Sequence, residues 1–362
     1  MSFIVNAQKL LHFTEQVFET FGVSKENAHT CADNLVTADL RGIPSHGVAR
    51  LQRYVDGMKS GVILPLAKPE IVMDFPSNAT VDGHAGLGQI VGNFSTKLAI
   101  EKAKQTGVGI VAVRNSNHYG IAGYYSQMIL NEGMLGISLT NSAPLVVPTF
   151  GKEMIIGTNP ISLTAPTKRH RPFFLDMATS VVPRGKLEVY NREEKPLPEG
   201  WAVDENGAVT TDAGKVLSNM LNRAGGGILT LGGEGELFSG YKGYGMSMIV
   251  DILSGVLSGG AYADLVNRKI DGKPAPANVS HFFMALKIEN FVDMDTFTDH
   301  MDDFIDRLKN SQKAEGQERI FIHGEKEYEK FEQYKKEGVP LQDKVYAALQ
   351  EIGKERNIPF TL

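Results

Sequence analysis

Cysteine is nearly absent: across 362 residues Cys31 stands alone. One thiol closes no intrachain disulfide, and the chain has no paired Cys/His spacing of the kind that holds structural zinc. The fold therefore rests on packed cores, which a chain of this length can build without staples. A reducing, cytoplasmic setting and no metal are the expectations. Long apolar runs are missing too. The most apolar stretch, Met246 to Leu257, is broken by Asp251, Ser254 and Gly255 and falls far short of the roughly 20 residues of a membrane span, so it reads as a buried helix. The opening MSFIVNAQKLLHF shows neither a basic region before a long apolar run nor a small-residue cleavage site, and no secretion signal is expected. Nor is there a basic excess. The 37 Lys and Arg face 42 Asp and Glu, net charge −5, and the positive charges are scattered, which argues against a nucleic-acid partner. GxSxG and HExxH do not occur, which removes the signatures of serine hydrolases and zinc peptidases.

What remains is an ordinary globular composition, 42% hydrophobic and 22% charged, cut into short elements by 38 glycines. Asn6 caps a first expected helix, whose Leu10, Leu11, Phe13, Val17, Phe18 and Phe21 recur at helical spacing until Gly22. Ser24 opens a second, with Ala28, Cys31, Ala32, Leu35 and Val36 on one face as far as Asp39. From about residue 63 the pattern becomes α/β. PEIVMDF, NATVDG and GVGIVAVR read as strands around an amphipathic helix from Gln89 to Lys104, and LGISLTNS, NPISLTAP, RPFFLDMA, VSHFFMALKIE and RIFIHGE extend the list. Asn191 to Gly227 reads as turn-rich, with a long flexible loop at Gly225 to Gly227, and the alternating charge of Lys326 to Gly338 as a solvated helix face. The expected organisation is an N-terminal helical region, 1–62, joined by C-terminal helices, 335–362; an α/β substrate-side region, 63–135, with a strand in 318–334; and a cofactor-binding α/β domain, 136–317.

Four clusters carry polar chemistry. Pro44 and Ser45 supply a stop and an N-cap for a helix expected to begin near His46. At about 100° per residue, His46, Arg50 and Arg53 share a sector of about 60°, opposite Val48, Leu51, Val55 and Met58. That suits a 2-oxo acid: a guanidinium grips the carboxylate with two hydrogen bonds, and an imidazole at the positive helix end donates a proton to the neighbouring carbonyl. On spacing alone, a solvated polar face is the better account of the two arginines. The second cluster is the loop Asn115 to Gly120, with Asn117 and His118, after a strand ending at Arg114. α/β proteins place ligands at such strand ends, although NSN also makes an ordinary turn. Asp176, closing a third strand ahead of Thr179 and Ser180, can orient a histidine, meet a ribose hydroxyl or cap a helix. Lys242 lies between glycines just before a helix, as at an anion-binding N-terminus, but without P-loop spacing. GHAGLGQIVG, with Gly86, Gly88 and Gly92, only approximates GxGxxG. The next strand ends at Arg114 where a ribose-reading acid would stand, so a Rossmann fold is not expected. Cys31 reads as packing, and His12, His29, His170, His281 and His300 have no convincing partners in sequence.

Taken together, SHGVARLQRY, VDGHAGLGQIVG, NSNHYGIAGYYS, GTNPISLTAP, FFLDMATSVVPRGKL, LPEGWAVDENG and GYKGYGMSMIVDILSGVLSG, in that order over nearly the whole chain, resemble the type-2 malate/L-lactate dehydrogenase family. The resemblance implies a non-Rossmann, mixed-sheet α/β oxidoreductase fold with an N-terminal helical region, usually homodimeric, using NAD or NADP. It implies a small 2-hydroxy or 2-oxo acid as substrate: malate with oxaloacetate first, or a lactate, sulfolactate, ureidoglycolate, diketogulonate or cyclic imino acid type. It also implies that His46 and His118 are catalytic, either being the acid/base, and that Ser45, Arg50, Asn117 and Arg184 meet the substrate. Ser142, Asp176, Met177, Ala178, Lys242, Gly324 and Glu325 are implied to hold the cofactor. Arg53 is available for a second carboxylate. Tyr241 departs from the family, many members having histidine before the lysine. The rival reading is a relative that binds ligand without turnover.

Overall fold

Asn6 accepts the backbone N–H groups of Gln8 and Lys9 at 3.0 and 3.1 Å, and Ser24 that of Asn27 at 3.4 Å, so the first two helices begin where their caps place them. The computed structural model describes residues 2–270 and 272–361. Along the chain run β1 (Ser2–Val5), α1 (Ala7–Glu19), α2 (Lys25–Leu40), α3 (Leu51–Lys59), β2 (Glu70–Asp74), β3 (Asn78–Asp82), α4 (Gly88–Thr106), β4 (Val108–Ser116) and α5 (Ala122–Leu130). Then come β5 (Leu135–Thr140), β6 (Ile161–Ala165), β7 (Phe173–Met177), α6 (Arg184–Arg192), β8 (Ala202–Val203), α7 (Ala213–Asn222), β9 (Gly227–Ile228) and α8 (Gly240–Asp251). β10 (Val279–Leu286), α9 (Met294–Asn310), α10 (Glu325–Glu337), β11 (Val339–Gln342) and α11 (Asp343–Arg356) complete the order.

Seven strands form one sheet in the order β2-β3-β4-β10-β5-β6-β7, and among the described residues β3 with β4 is its one parallel pair. A dinucleotide fold of the doubly wound type needs a parallel sheet with crossover helices, so the mixed, non-Rossmann expectation holds. The sheet takes strands from both expected α/β regions, with β10 lying between β4 and β5. One sheet face packs Val81, Val111, Val113 and Phe283 on Val91, Ala99, Tyr125 and Ile129 of α4 and α5; the other packs Leu139 and Phe282 on Val250 of α8. A separate core around Leu10, Phe18, Leu35, Leu51, Tyr54, Val339 and Leu349 joins α1 to α3 with β11 and α11. β1 pairs with β11, Val5 opposite Val339. A third core, around Val146, Leu187, Val216 and Ile228, sits beneath α6 and α7. Each fully buried aliphatic side chain contributes about 1.5–3 kcal/mol, so these cores, not caps, hold the layers together.

Several expectations need correction. RIFIHGE forms no strand. The Glu325 carboxylate turns back to accept the N–H of Ile322 at 3.3 Å, withdrawing a donor that a ladder would use, and α10 begins at once. One bond to the sheet survives, from Phe174 N–H to the His323 carbonyl at 3.1 Å. The segment from Asn191 to Gly227 is more ordered than its turn residues suggest: Asp212 caps α7 through the N–H of Lys215 at 2.9 Å, and Gly226 N–H bonds Lys152 carbonyl at 2.7 Å on the way into β9. Met246 to Leu257 is helical but only half interior. Ser247, Val250 and Ser254 face in, while Met248, Ile249, Ile252, Val256 and Leu257 are 43–56% exposed, because this helix is apolar on both faces and continues as a π-helical turn over Ile252–Val256. No helix among the described residues is long and apolar enough to cross a membrane.

Candidate active site

β4, β5 and β7 end at the same rim of the sheet, where β6 and β10 begin. Val279 lies opposite Ser116, Asn141 N–H bonds Ser280 carbonyl at 3.1 Å, and Thr179 N–H bonds Thr158 carbonyl at 2.9 Å. His118 stands in the loop beyond β4. That loop lies directly on the first turn of α4, where a Cβ on Gly88 would be 2.3 Å from Asn117 O and 2.4 Å from His118 O. The GxGxxG-like segment is thus a close-packing device under the His118 loop. Asn117 is buried and donates both amide hydrogens to Ala85 and Gly86 carbonyls at 2.9 Å, so it tethers the loop. His118 Nδ1 meets the Tyr54 hydroxyl at 2.6 Å and the Gly120 N–H at 3.3 Å. A backbone N–H only donates, so Nδ1 accepts and the neutral ring carries its hydrogen on Nε2.

His46 approaches from the helical layer, but not on a helix. Residues 44–47 form a turn, a 3₁₀ turn spans Val48–Arg50, and α3 starts only at Leu51. Ser45 is not the cap expected of it: Asp39 Oδ2 accepts the N–H of Val48 at 2.8 Å, and Ser45 Oγ lies 3.0 Å from His46 Nδ1 instead. Gly47 is required, since a Cβ there would fall 2.0 Å from Asp39 Oδ1. The helical angles computed from His46 therefore do not apply, yet the grouping they suggested exists. The His46 and His118 rings lie 5.6 Å apart at 22°, and Arg50, anchored by Nε to Ser45 carbonyl at 2.6 Å, stands beside them.

The electrostatics follow from this crowding. Burial, then Arg50 and Arg53, push the His46 pKa down to about 4. Burial, then Arg53, His46 and Arg50, hold His118 well below the ordinary histidine value. Two uncharged imidazoles thus sit under positive charge, an arrangement that attracts an anion. Arg184, the first residue of α6, pairs with Glu188 at 3.0 Å at the margin, and both are felt electrostatically by Arg50.

A cavity of about 360 Å³ opens beside β7, lined in part by Ile43, Phe174, Asp176, Met177, His323 and Gly324. Asp176 accepts the Gly123 N–H at 2.8 Å, and its pKa is pushed up to about 6 by burial, opposed by that bond and by Arg41. Gly324 has φ +94°, and a Cβ on it would come within 2.5 Å of Phe174 Cβ, so only glycine lets the chain at this edge of the cavity pack directly on β7. The volume suits one nucleoside half of a dinucleotide. Ala178 continues β7 toward Thr179, which binds Thr158, and Thr158 N–H in turn bonds Ser142 Oγ at 3.0 Å; Ser142 and the Asp176-Met177-Ala178 strand end are therefore neighbours. Lys242, in the first turn of α8, is exposed and does not line this cavity. Glu325 does not line it either: its carboxylate is engaged by Lys309 and, at 2.9 Å, by Arg319.

Three residues of this neighbourhood were not singled out in sequence for these roles. Tyr54 follows Arg53 on α3 and carries no pattern of its own. Asp39 looked only like the end of a helix. His281 does have partners, Thr140 and Ser116, as do His12 and His29 against Glu15 and His170 against Asp306. A histidine directly before the apolar run Phe282–Leu286 of β10 was the signal for His281.

Two neutral imidazoles under guanidinium charge, on a mixed sheet with a cavity beside β7, make a site suited to an anion. The sequence model of the Malate/L-lactate dehydrogenase family matches residues 5–350, and the chain belongs to that family: it is a pyridine-nucleotide-dependent dehydrogenase of small hydroxy acids. It is 52% identical over 350 residues to the malate dehydrogenase of Pyrococcus horikoshii, covering 97% of this chain and 94% of that one. To the L-sulfolactate dehydrogenase of Methanocaldococcus jannaschii it is 41% identical, covering 94% and 93%. The crystal structure of malate dehydrogenase from Entamoeba histolytica superposes with a TM-score of 0.95 at 36% identity, covering all of both chains.

Proposed function

We propose that the protein interconverts malate and oxaloacetate, with His118 exchanging the proton and Arg50 holding the carboxylate next to the reacting carbon. The observation that carries the proposal is the His46–His118 pair, 5.6 Å apart, beside Arg50. When bound, the reduced nicotinamide supplies the hydride that adds to C2 of the oxo acid. Once substrate is bound and the ring is protonated, His118 gives its Nε2 proton to the carbonyl oxygen, which becomes the hydroxyl, while its Nδ1–H donates to the Tyr54 hydroxyl oxygen 2.6 Å away. Bound dianion cancels the repulsion from Arg50 and Arg53, so the His118 pKa rises and the proton needed for reduction is taken up with the substrate. His46 is the alternative proton carrier, and its Ser45 hydroxyl partner fixes no tautomer. Arg53, exposed on α3, would meet the second carboxylate, and a sulfonate equally well.

Asp176, Met177 and Gly324 line the cavity that would hold the nucleotide, with Ser142 alongside. Asp176, Glu327 and Lys326 all line that cavity; the two carboxylates suit ribose hydroxyls and NAD, the lysine suits a 2′-phosphate and NADP, so the cofactor is NAD or NADP. A cytoplasmic homodimer is the working form that the family resemblance implies, and size-exclusion chromatography with light scattering checks the subunit number. The deciding assay follows reduced-nicotinamide absorbance with NADH or NADPH against oxaloacetate, sulfopyruvate and pyruvate. Oxaloacetate should give the highest kcat/KM. Tight nucleotide binding with no turnover across the panel would leave the protein a binding relative.

A further inference from the structure

His281, on β10 at the centre of the sheet, is fully buried and has no part in the reaction described above. Both ring nitrogens are engaged: Nδ1 lies 2.7 Å from Thr140 Oγ1 on β5, and Nε2 lies 2.8 Å from Ser116 Oγ at the end of β4. Its ring lies flat on Tyr119, centroids 4.4 Å apart and planes within 3° of parallel. Tyr119 is held on its other contacts by the Tyr125 ring at 4.5 Å and by Ser138 Oγ at 3.1 Å. Ser116 and Tyr119 flank Asn117 and His118, so one imidazole grips both ends of the segment that presents the His118 ring. Neutral imidazole offers one donor and one acceptor, which two hydroxyls can match, whereas an imidazolium here would be a buried charge with no counter-ion among its neighbours. Burial pushes the His281 pKa down to about 3, so it stays neutral at working pH and acts through geometry.

We infer that His281 is a positioning residue for His118, clamping Ser116 and Tyr119 so that the His118 ring is held against Tyr54 and opposite His46. The inference rests on the reading of His118 as the proton-exchanging group. His281→Phe keeps a flat ring for Tyr119 and loses both hydrogen bonds, while Ser116→Ala loses one. For His281→Phe a fall in kcat on the order of a hundredfold is expected, as for a misplaced reacting group, with KM for oxaloacetate changed less than about threefold. Ser116→Ala should fall between it and the unmodified protein. The alkaline limb of the kcat profile for oxaloacetate reduction should also move up, because a loosened His118 is better hydrated while Arg50, Arg53, Tyr54 and His46 still face it. His118→Ala is the reference. If that variant keeps its turnover, the reading of His118 fails; if it is inactive while His281→Phe and Ser116→Ala match the unmodified protein in kcat and pH profile, the His281 role is overturned. A loss confined to KM overturns it too. Should His281→Phe not fold, Ser116→Ala decides alone, since it leaves the strand ladder intact.

Discussion

Replacing Arg50 by Gln tests the substrate grip and the electrostatics together. Arg50 is half-buried, its Nε is committed to the Ser45 carbonyl at 2.6 Å, and its charge is the second-largest cause of the lowered His46 pKa. Hydrogen bonds to a charged partner contribute about 1.5–3 kcal/mol. Loss of that amount lowers kcat/KM by roughly 10- to 150-fold at 1.4 kcal/mol per decade, and Arg53 and Arg184 keep the loss from going further. The same substitution removes a repulsion that depresses both imidazoles, so His46 and His118 should titrate at higher pH. Hydroxy-acid oxidation needs the neutral base, so the acid limb of kcat/KM for malate should shift upward. Initial rates of nicotinamide reduction from about pH 4 to 9 read both effects. Arg50→Lys separates them, since the charge returns without the two-pronged fork: the limb should return toward its original place while affinity stays impaired. A kcat/KM for Arg50→Gln within about twofold of the unmodified protein, or an acid limb that moves down, would refute the reasoning.

Gly88→Ala places a methyl 2.3 Å from Asn117 O, so kcat should fall by on the order of a hundredfold with little change in circular dichroism; normal turnover would mean the loop need not rest on α4. Gly324→Ala, at φ +94° and 2.5 Å from Phe174 Cβ, should raise KM for the dinucleotide without altering KM for oxaloacetate, and equal effects on both would place the cofactor elsewhere. Asp39 is raised from 3.8 to about 7 by burial, partly offset by the Val48 N–H, so the unfolded chain releases that proton first. The folded state therefore loses stability as pH climbs through that interval. Asp39→Asn should flatten the change in Tm between about pH 4 and pH 7, and an undiminished change would show that Asp39 is already ionised in the fold.

Much of the sheet could be read in the sequence because its strands alternate apolar runs with Gly, Pro and Asn. Strand order could not, since β10 inserts between β4 and β5 from more than a hundred residues away. His46 and Arg50 were grouped for a partly mistaken reason: a helix was assumed where a turn and a 3₁₀ segment run, and proximity survived because both residues still leave the same side of the chain. Tyr54 and His281 act through contacts with distant segments, 64 residues away for Tyr54 with His118 and 165 for His281 with Ser116, and Asp39 reaches Val48 nine residues on across an irregular turn, none of which local periodicity encodes. Lys242, a glycine-framed lysine, was visible as a local pattern, and it stands in the first turn of α8, away from the cavity beside β7.

Pairing of β1 with β11, and packing of α11 against α3, have a consequence for biosynthesis. α3 follows Arg50 directly and carries Arg53 and Tyr54, and its buried side rests on Leu349 and Ile352 in a core that also contains Leu10 and Leu51. A nascent chain halted before residue 339 has made every group of the reacting pocket but not the segment that holds α3 in place. Such contacts between the two ends of a sequence form late, after the largest loop has closed. Activity should therefore appear abruptly as residues 339–356 emerge, so shorter nascent chains would carry no partly working dehydrogenase.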